Sequence, residues 1–277
     1  MSVTDRSGIS SARRIVVKVG SSSISGDNAG QIVPLVAALA EAHGRGTEVI
    51  LVSSGAIATG MPYLKLDARP GDLATQQAAA AVGQNVLIFR YQDSLDQFGI
   101  VAGQVLLTAG DLENHTHRKN AERAMEKLLA LRILPIVNEN DTVATHEIRF
   151  GDNDRLAALV SVLVRADLLV LLSDVDALYT RPPQEPGAVL IDHVRYGDPL
   201  DDVVIGSVGT GVGTGGAMTK VAAARLAADA GTAVLLTSTG QVADALQGAS
   251  IGTWFDPAPA GAERAPRTSE IGTVTAD

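Results

Sequence analysis

Short runs of β-branched and aliphatic residues alternate along the chain with longer segments in which apolar side chains return every third or fourth position. Residues 14–19, 49–52, 100–107, 133–137, 168–172 and 233–236 are apolar without polar alternation, the pattern of strands buried on both faces. Between them Ile32, Leu35, Val36 and Leu39 recur at helical spacing, and residues 75–98 form a long Ala-rich helical segment. Residues 118–131, 153–165 and 218–230 carry the same period. Strands and helices in this alternation predict an α/β fold whose mainly parallel sheet is covered on both faces. Residues 1–11 read as a flexible, Ser-rich lead-in. From Pro257 onward the chain loses all periodicity and reads as a flexible tail, which leaves 12–256 as the structured domain.

Polar density concentrates where these runs end. Asn138-Glu139-Asn140-Asp141 closes the run 133–137, and Gly151-Asp152-Asn153-Asp154 opens the segment in which Leu156, Leu159, Val160 and Leu163 recur. A single aspartate there is accounted for by helix capping. Two carboxylate and carboxamide clusters within a short stretch point instead to a binding site at element ends, where α/β proteins build them. Lys18 closes the first strand-like run just before Gly20-Ser21-Ser22-Ser23, and either lies on a wet strand face or projects from the strand end toward an anion. Ser53-Ser54-Gly55 ends the second run and is compatible with ordinary turn chemistry. Residues 209–216 hold five glycines in eight positions, with Lys220 close behind, which suits a flexible cover over phosphates.

Composition removes several classes. The 277 residues are 46% hydrophobic, enough for a substantial core, while a net charge of −9 offers no field for nucleic acid. There is no cysteine, hence no disulfide framework and no thiolate metal site. No run approaches the roughly 18 apolar residues of a membrane span, and the polar N-terminus carries no signal-peptide core, so a cytoplasmic location is expected. Gly211, Gly213 and Gly216 satisfy the dinucleotide spacing, but no acidic residue follows the strand at 233–236 to hold a ribose. Lys220 follows threonine rather than glycine, so the phosphate-loop pattern fails. His115 and His117 read as a solvated helix start rather than a metal pair.

Taken in order, the blocks 16–22, 52–58, 137–141, 150–154, 172–179 and 213–216 with Lys220 resemble the glutamate 5-kinases of the amino acid kinase superfamily. The resemblance spans residues 12–256. Asn138 to Asp141 together with Gly151 to Asp154 is the part specific to that branch. It implies a three-layer α/β sandwich with a mainly parallel eight-stranded sheet, and transfer of phosphate from ATP to the γ-carboxylate of L-glutamate, the first step of proline synthesis. By position, Lys18 and Lys220 flank the transferred group and Asp154 holds both ammonium groups. Ser54, Asp141 and Asn153 match glutamate contacts. Lys18, Gly20, Gly55, Ser173, Asp174, Thr214, Gly215, Gly216, Ala217, Met218, Thr219 and Lys220 match nucleotide contacts. Magnesium is implied as a passenger of the ATP phosphates, with no metal site made by the protein. Proline is a candidate feedback inhibitor, and a homo-oligomer is expected. The chain departs from the family in ending without a PUA domain and in reading Gly-Gly-Ala-Met-Thr-Lys, an order expected to alter packing under the loop while keeping Lys220 in register.

Alternatives differ in substrate or in class. Acetylglutamate kinase shares the chemistry, but an N-acetylated substrate lacks the ammonium that Asp141 is suited to pair. A weak glutamate or proline sensor has no need of both lysines and Asp154. A dinucleotide oxidoreductase rests on the glycine triplet alone.

Overall fold

The computed structural model describes residues 3–144, 153–200 and 216–259. Ten strands follow in chain order: β1 (Arg14–Lys18), β2 (Glu48–Val52), β3 (Ala102–Leu107), β4 (Leu134–Glu139), β5 (Leu168–Ser173), β6 (Leu178–Tyr179), β7 (Leu190–Ile191), β8 (His193–Val194), β9 (Ala233–Ser238) and β10 (Thr253–Phe255). Eight form one sheet in the order β3-β4-β2-β1-β5-β9-β10-β8, in which only the β9–β10 pair is antiparallel. β6 and β7 make a separate antiparallel pair. The eight helices are α1 (Ile32–Gly44), α2 (Ala56–Gly60), α3 (Leu73–Asp96), α4 (Ala109–Glu113), α5 (His115–Ala130), α6 (Asn153–Leu163), α7 (Ala217–Asp229) and α8 (Val242–Gln247).

The continuous apolar runs are explained by two cores, one on each side of the sheet. Successive strand residues point to opposite faces. Ile15 and Val17 of β1, Val49 and Leu51 of β2, and Leu168, Val170 and Leu172 of β5 pack with α1, α2, α3 and α8. Val16, Ile50, Val52, Leu169 and Leu171 pack on the other side with α5, α6 and α7. This alternation decides where Lys18 goes: two residues after Val16, it shares the face that meets α6 and α7.

Helix boundaries follow their caps. α3 starts two residues before the expected Thr75 because the Asp72 carboxylate accepts from the Thr75 N–H at 2.8 Å. α5 starts at His115 because Asn114 Oδ1 accepts from the N–H groups of Thr116 and His117, which confirms that the two histidines open a helix. α6 and α7 occupy the expected segments, ending at Leu163 and Asp229.

The N-terminal lead-in is a correction. Residues 6–11 form a 3-10 helix in which Ile9 is fully buried, and Val3 is buried as well. Arg6 donates to the carbonyls of Ile251 and Gly252 at 3.0 and 2.9 Å and to Asp192 at 2.9 Å. The serines that suggested flexibility surround two apolar anchors. Of the tail, residues 257–259 stay on the body, where Ala258 N–H donates to Ala228 O at 2.8 Å. Residues 260–277 lie outside the described residues.

α2 and α3 cross with no space between them. A β-carbon on Gly83 meets the Ala56 carbonyl oxygen at 1.7 Å, and one on Gly60 meets the Ala79 carbonyl oxygen at 1.9 Å. Backbone atoms cannot swing aside as a flexible side chain does. Gly83→Ala is therefore expected to destabilise the protein by about 1–3 kcal/mol or more, read as a lower urea midpoint without a change in slope.

Candidate active site

The parallel strands β1, β2, β4 and β5 end on one edge of the sheet. β1 is the point where the chain order reverses, with β2 on one side and β5 on the other. A crevice opens at such a switch. Lys18 lies at the last position of β1, Ser53 and Ser54 follow β2, Asn138 to Asp141 end β4, and Ser173 and Asp174 end β5.

Asp154, in the first turn of α6, has no solvent access and joins two strand and helix ends. Its Oδ1 lies 2.5 Å from Lys18 Nζ and its Oδ2 lies 3.2 Å from Lys220 Nζ. Both lysines are buried, at 4% and 8% exposure. The Thr219 hydroxyl donates to Asp154 Oδ2 at 3.3 Å and to the Gly216 carbonyl at 2.9 Å. Burial pushes the Asp154 carboxyl up, but Lys18 and Lys220 more than offset it and hold it below the ordinary carboxylate value. Its position near the N-terminal end of α6 acts in the same direction.

The backbone around Lys18 and Ser54 is equally constrained. The Lys18 ammonium lies 3.9 Å from the place of a β-carbon on Gly20, so it folds back over the loop that follows β1. Gly55 has φ +89°, and a β-carbon there meets Ser21 at 3.2 Å. Only glycine satisfies both conditions, and the two loops touch because of it.

Asn153 ties the second loop to β4. Its Nδ2 donates to Ser53 O at 2.8 Å, Ser54 Oγ at 2.9 Å and Asn138 Oδ1 at 2.8 Å. Among the described residues, Asn153 Oδ1 and Asn138 Nδ2 are buried without a hydrogen-bond partner.

Of the residues singled out from the sequence, Lys18, Asp154 and Lys220 form one cluster, and Ser54 and Asn153 another beside it. Asp141 is half-buried on the turn after β4, three residues past Asn138. Ser173 is buried and donates to the exposed Asp174 carboxylate at 3.0 Å. Met218 is 59% exposed at the start of α7, two residues before the Lys220 that pairs with Asp154. Thr214 and Gly215, like Gly151 and Asp152, lie outside the described residues. Asn138 carries more of the site than its place in a polar run suggested, and its signal was its position at the end of a buried strand.

Comparison with known proteins places these features. The amino acid kinase family profile matches residues 13–238. Glutamate 5-kinase of Clavibacter sepedonicus is 78% identical over 257 residues, covering 93% of this chain and 99% of that protein. Glutamate 5-kinase of Leifsonia xyli is 77% identical, with 93% and 96% covered. Glutamate 5-kinase of Streptomyces coelicolor is 57% identical over 90% of this chain but 68% of its own length. Among solved structures, carbamate kinase from Giardia lamblia bound to AMP-PNP superposes with a TM-score of 0.67 at 15% identity, covering 90% of this chain and all of that one, a likeness of fold.

Removing the charge of Asp154 leaves two buried ammonium groups facing each other. Asp154→Asn is expected to lower stability at neutral pH by about 3–5 kcal/mol. Because the carboxyl is depressed in the folded state, the parent's advantage is complete above the ordinary carboxylate range. It disappears as pH falls through the lower folded value. Urea unfolding of both proteins from pH 7 to pH 3 checks the sign: the two curves converge toward acid.

Proposed function

The chain belongs to the amino acid kinase family, and on that premise we infer that it transfers the γ-phosphoryl group of ATP to the γ-carboxylate of L-glutamate, giving L-glutamyl 5-phosphate. It is an ATP-dependent phosphotransferase of amino acid biosynthesis. The observation that carries the reading is one buried carboxylate holding two ammonium groups at the switch edge of the sheet, in a chain so similar to glutamate 5-kinases along nearly its whole length.

The acceptor carboxylate is ionised and already nucleophilic, so the barrier lies in bringing an anion to a polyphosphate. Lys18 and Lys220 meet that barrier from two sides, as fixed positive charges placed before reaction in a site largely closed to water. Asp154 keeps them in place. Gly20 and Gly55 let the backbone of the two touching loops approach the phosphates, and the nucleotide contacts are assigned to Thr214 through Lys220 with Ser173 and Asp174. Glutamate is oriented by Ser54, Asn153 and Asp141, with the buried Asn153 Oδ1 as an acceptor for its ammonium. Among the described residues no group of three acidic or histidine side chains could hold a metal ion. Magnesium would enter on the ATP phosphates and supply neutralisation of their charge. Among the described residues no helix is long and apolar enough to cross a membrane. A cytoplasmic location, where ATP is made available, a homo-oligomeric state and feedback by proline belong to the same reading.

Hydroxylamine trapping of an acyl phosphate, with ATP, magnesium and either glutamate or N-acetylglutamate, tests the reaction. Product from glutamate is expected; a preference for N-acetylglutamate overturns the substrate. Lys18→Ala and Lys220→Ala are each expected to reduce kcat by on the order of 10²-fold or more, with a smaller change in KM for glutamate. Near-parental turnover at saturating ATP in either variant removes that lysine from the reaction. Asp141→Asn keeps size and loses charge, and a charge-assisted bond predicts a rise in glutamate KM of roughly tenfold to hundredfold. The ATP KM is expected to stay within about twofold, since Asp141 faces the amino acid.

A further inference from the structure

Tyr91, in the second to last turn of α3, has no solvent access and sits among the apolar residues of the core. Its ring belongs there; its hydroxyl does not, unless it is bonded. The hydroxyl lies 2.9 Å from Ser53 Oγ. Ser53 is the first residue after β2, and the rest of that residue is committed to the site: its N–H donates to Val137 O at 2.8 Å and its carbonyl accepts from Asn153 Nδ2 at 2.8 Å. Its hydroxyl also makes a long contact, 3.4 Å, with the carbonyl of Ser54. That carbonyl shares a planar peptide with the N–H of Gly55, so its direction sets the direction of that N–H.

Seven residues earlier on the same face of α3, Gln84 Nε2 donates to the Glu139 carbonyl at 3.3 Å. α3 therefore reaches the ends of both β2 and β4 with polar atoms carried through an apolar face. A cavity of about 10 Å³ between Ser53, Gln84, Tyr91, Gln104 and Asn138 separates the two contacts. The Tyr91 hydroxyl is the polar atom that meets the end of β2 beside this void.

We propose that Tyr91 is a positioning residue for phosphoryl transfer, acting through Ser53 to fix the Ser53-Ser54-Gly55 turn against Asn153. The proposal rests on the site reading given above and adds to it a residue that touches no substrate. Burial raises the Tyr91 hydroxyl well above its ordinary value, so it keeps its proton and shares a hydrogen bond with Ser53 Oγ in which either oxygen can donate.

Tyr91→Phe removes one oxygen and keeps the ring. It is expected to lower kcat/KM for glutamate by about three- to tenfold while the KM for ATP stays within about twofold. Ser53→Ala is expected to lower it by a similar factor. The double variant should fall no further than the weaker single one, because both remove the same bond. Ser53→Thr keeps the hydroxyl beside a small void, so it should keep near-parental kinetics. All are measured well below each variant's melting temperature, with folding checked by circular dichroism. A lower melting temperature with glutamate kcat/KM unchanged in Tyr91→Phe overturns the proposal, as does a Ser53→Thr as impaired as Ser53→Ala. The lysine variants separate the two levels. If Lys18→Ala retains turnover, the site reading itself fails; if Lys18→Ala is inactive and Tyr91→Phe is normal, only the role of Tyr91 fails.

Discussion

A carboxylate with no access to water, held between two buried ammonium groups, is the arrangement on which the rest of this structure depends. Asp154, Lys18 and Lys220 come from α6, β1 and α7, so the cluster exists only where three separately folded elements meet. Burying three charges is expensive. A core designed for stability alone has no use for them. A site for transferring phosphate does, because positive charge fixed in place before the anion arrives costs no reorganisation during reaction. In a chain of net charge −9 this local reversal of sign has to be gathered by the fold, since the surface as a whole repels polyphosphate.

The sheet supplies that accuracy through an unremarkable rule. Strand residues alternate between two cores, and Lys18 shares its face with Val16, on the side of α6 and α7. Shifting β1 by one residue would send the ammonium to the opposite layer, toward α2 and α3. Five neighbouring strands with apolar residues on both faces leave no tolerance for such a slip. The stability of the central strands and the placement of the Lys18 ammonium are the same fact seen from two ends.

How far the sequence disclosed this depended on whether a feature was local. The six long strands and the main helices were legible because their apolar period is written in consecutive residues. β8 and β10 were not, being two or three residues long, with β8 pairing to β10 from far along the chain and β10 joining the sheet through an antiparallel pairing with β9. The packed N-terminus was hidden because serines outnumber the two anchors, Val3 and Ile9. In the site, Lys18, Asp154 and Lys220 stood out as charges beside glycine loops or element ends. Asn138 was visible as part of a polar run, but not as the residue whose carboxamide meets Asn153. Tyr91 gave no signal at all, since a tyrosine at a core position of an amphipathic helix looks the same whether its hydroxyl is committed or incidental.

That last case bears on how α3 is used. The helix meets α2 through Gly60 and Gly83 at backbone contact, and two turns further along it presents Tyr91 to the end of β2. α2 itself begins at Gly55, so both contacts bear on the same loop, one from the helix that leaves it and one from the strand that enters it. The close glycine crossing fixes distance but not rotation, because smooth backbone surfaces slide. A single hydrogen bond fixes rotation but contributes little energy. Together they define the loop more tightly than either does alone, which is what a site built from backbone N–H groups and two buried lysines requires, where a displacement of about 1 Å is enough to cost the reaction most of its rate.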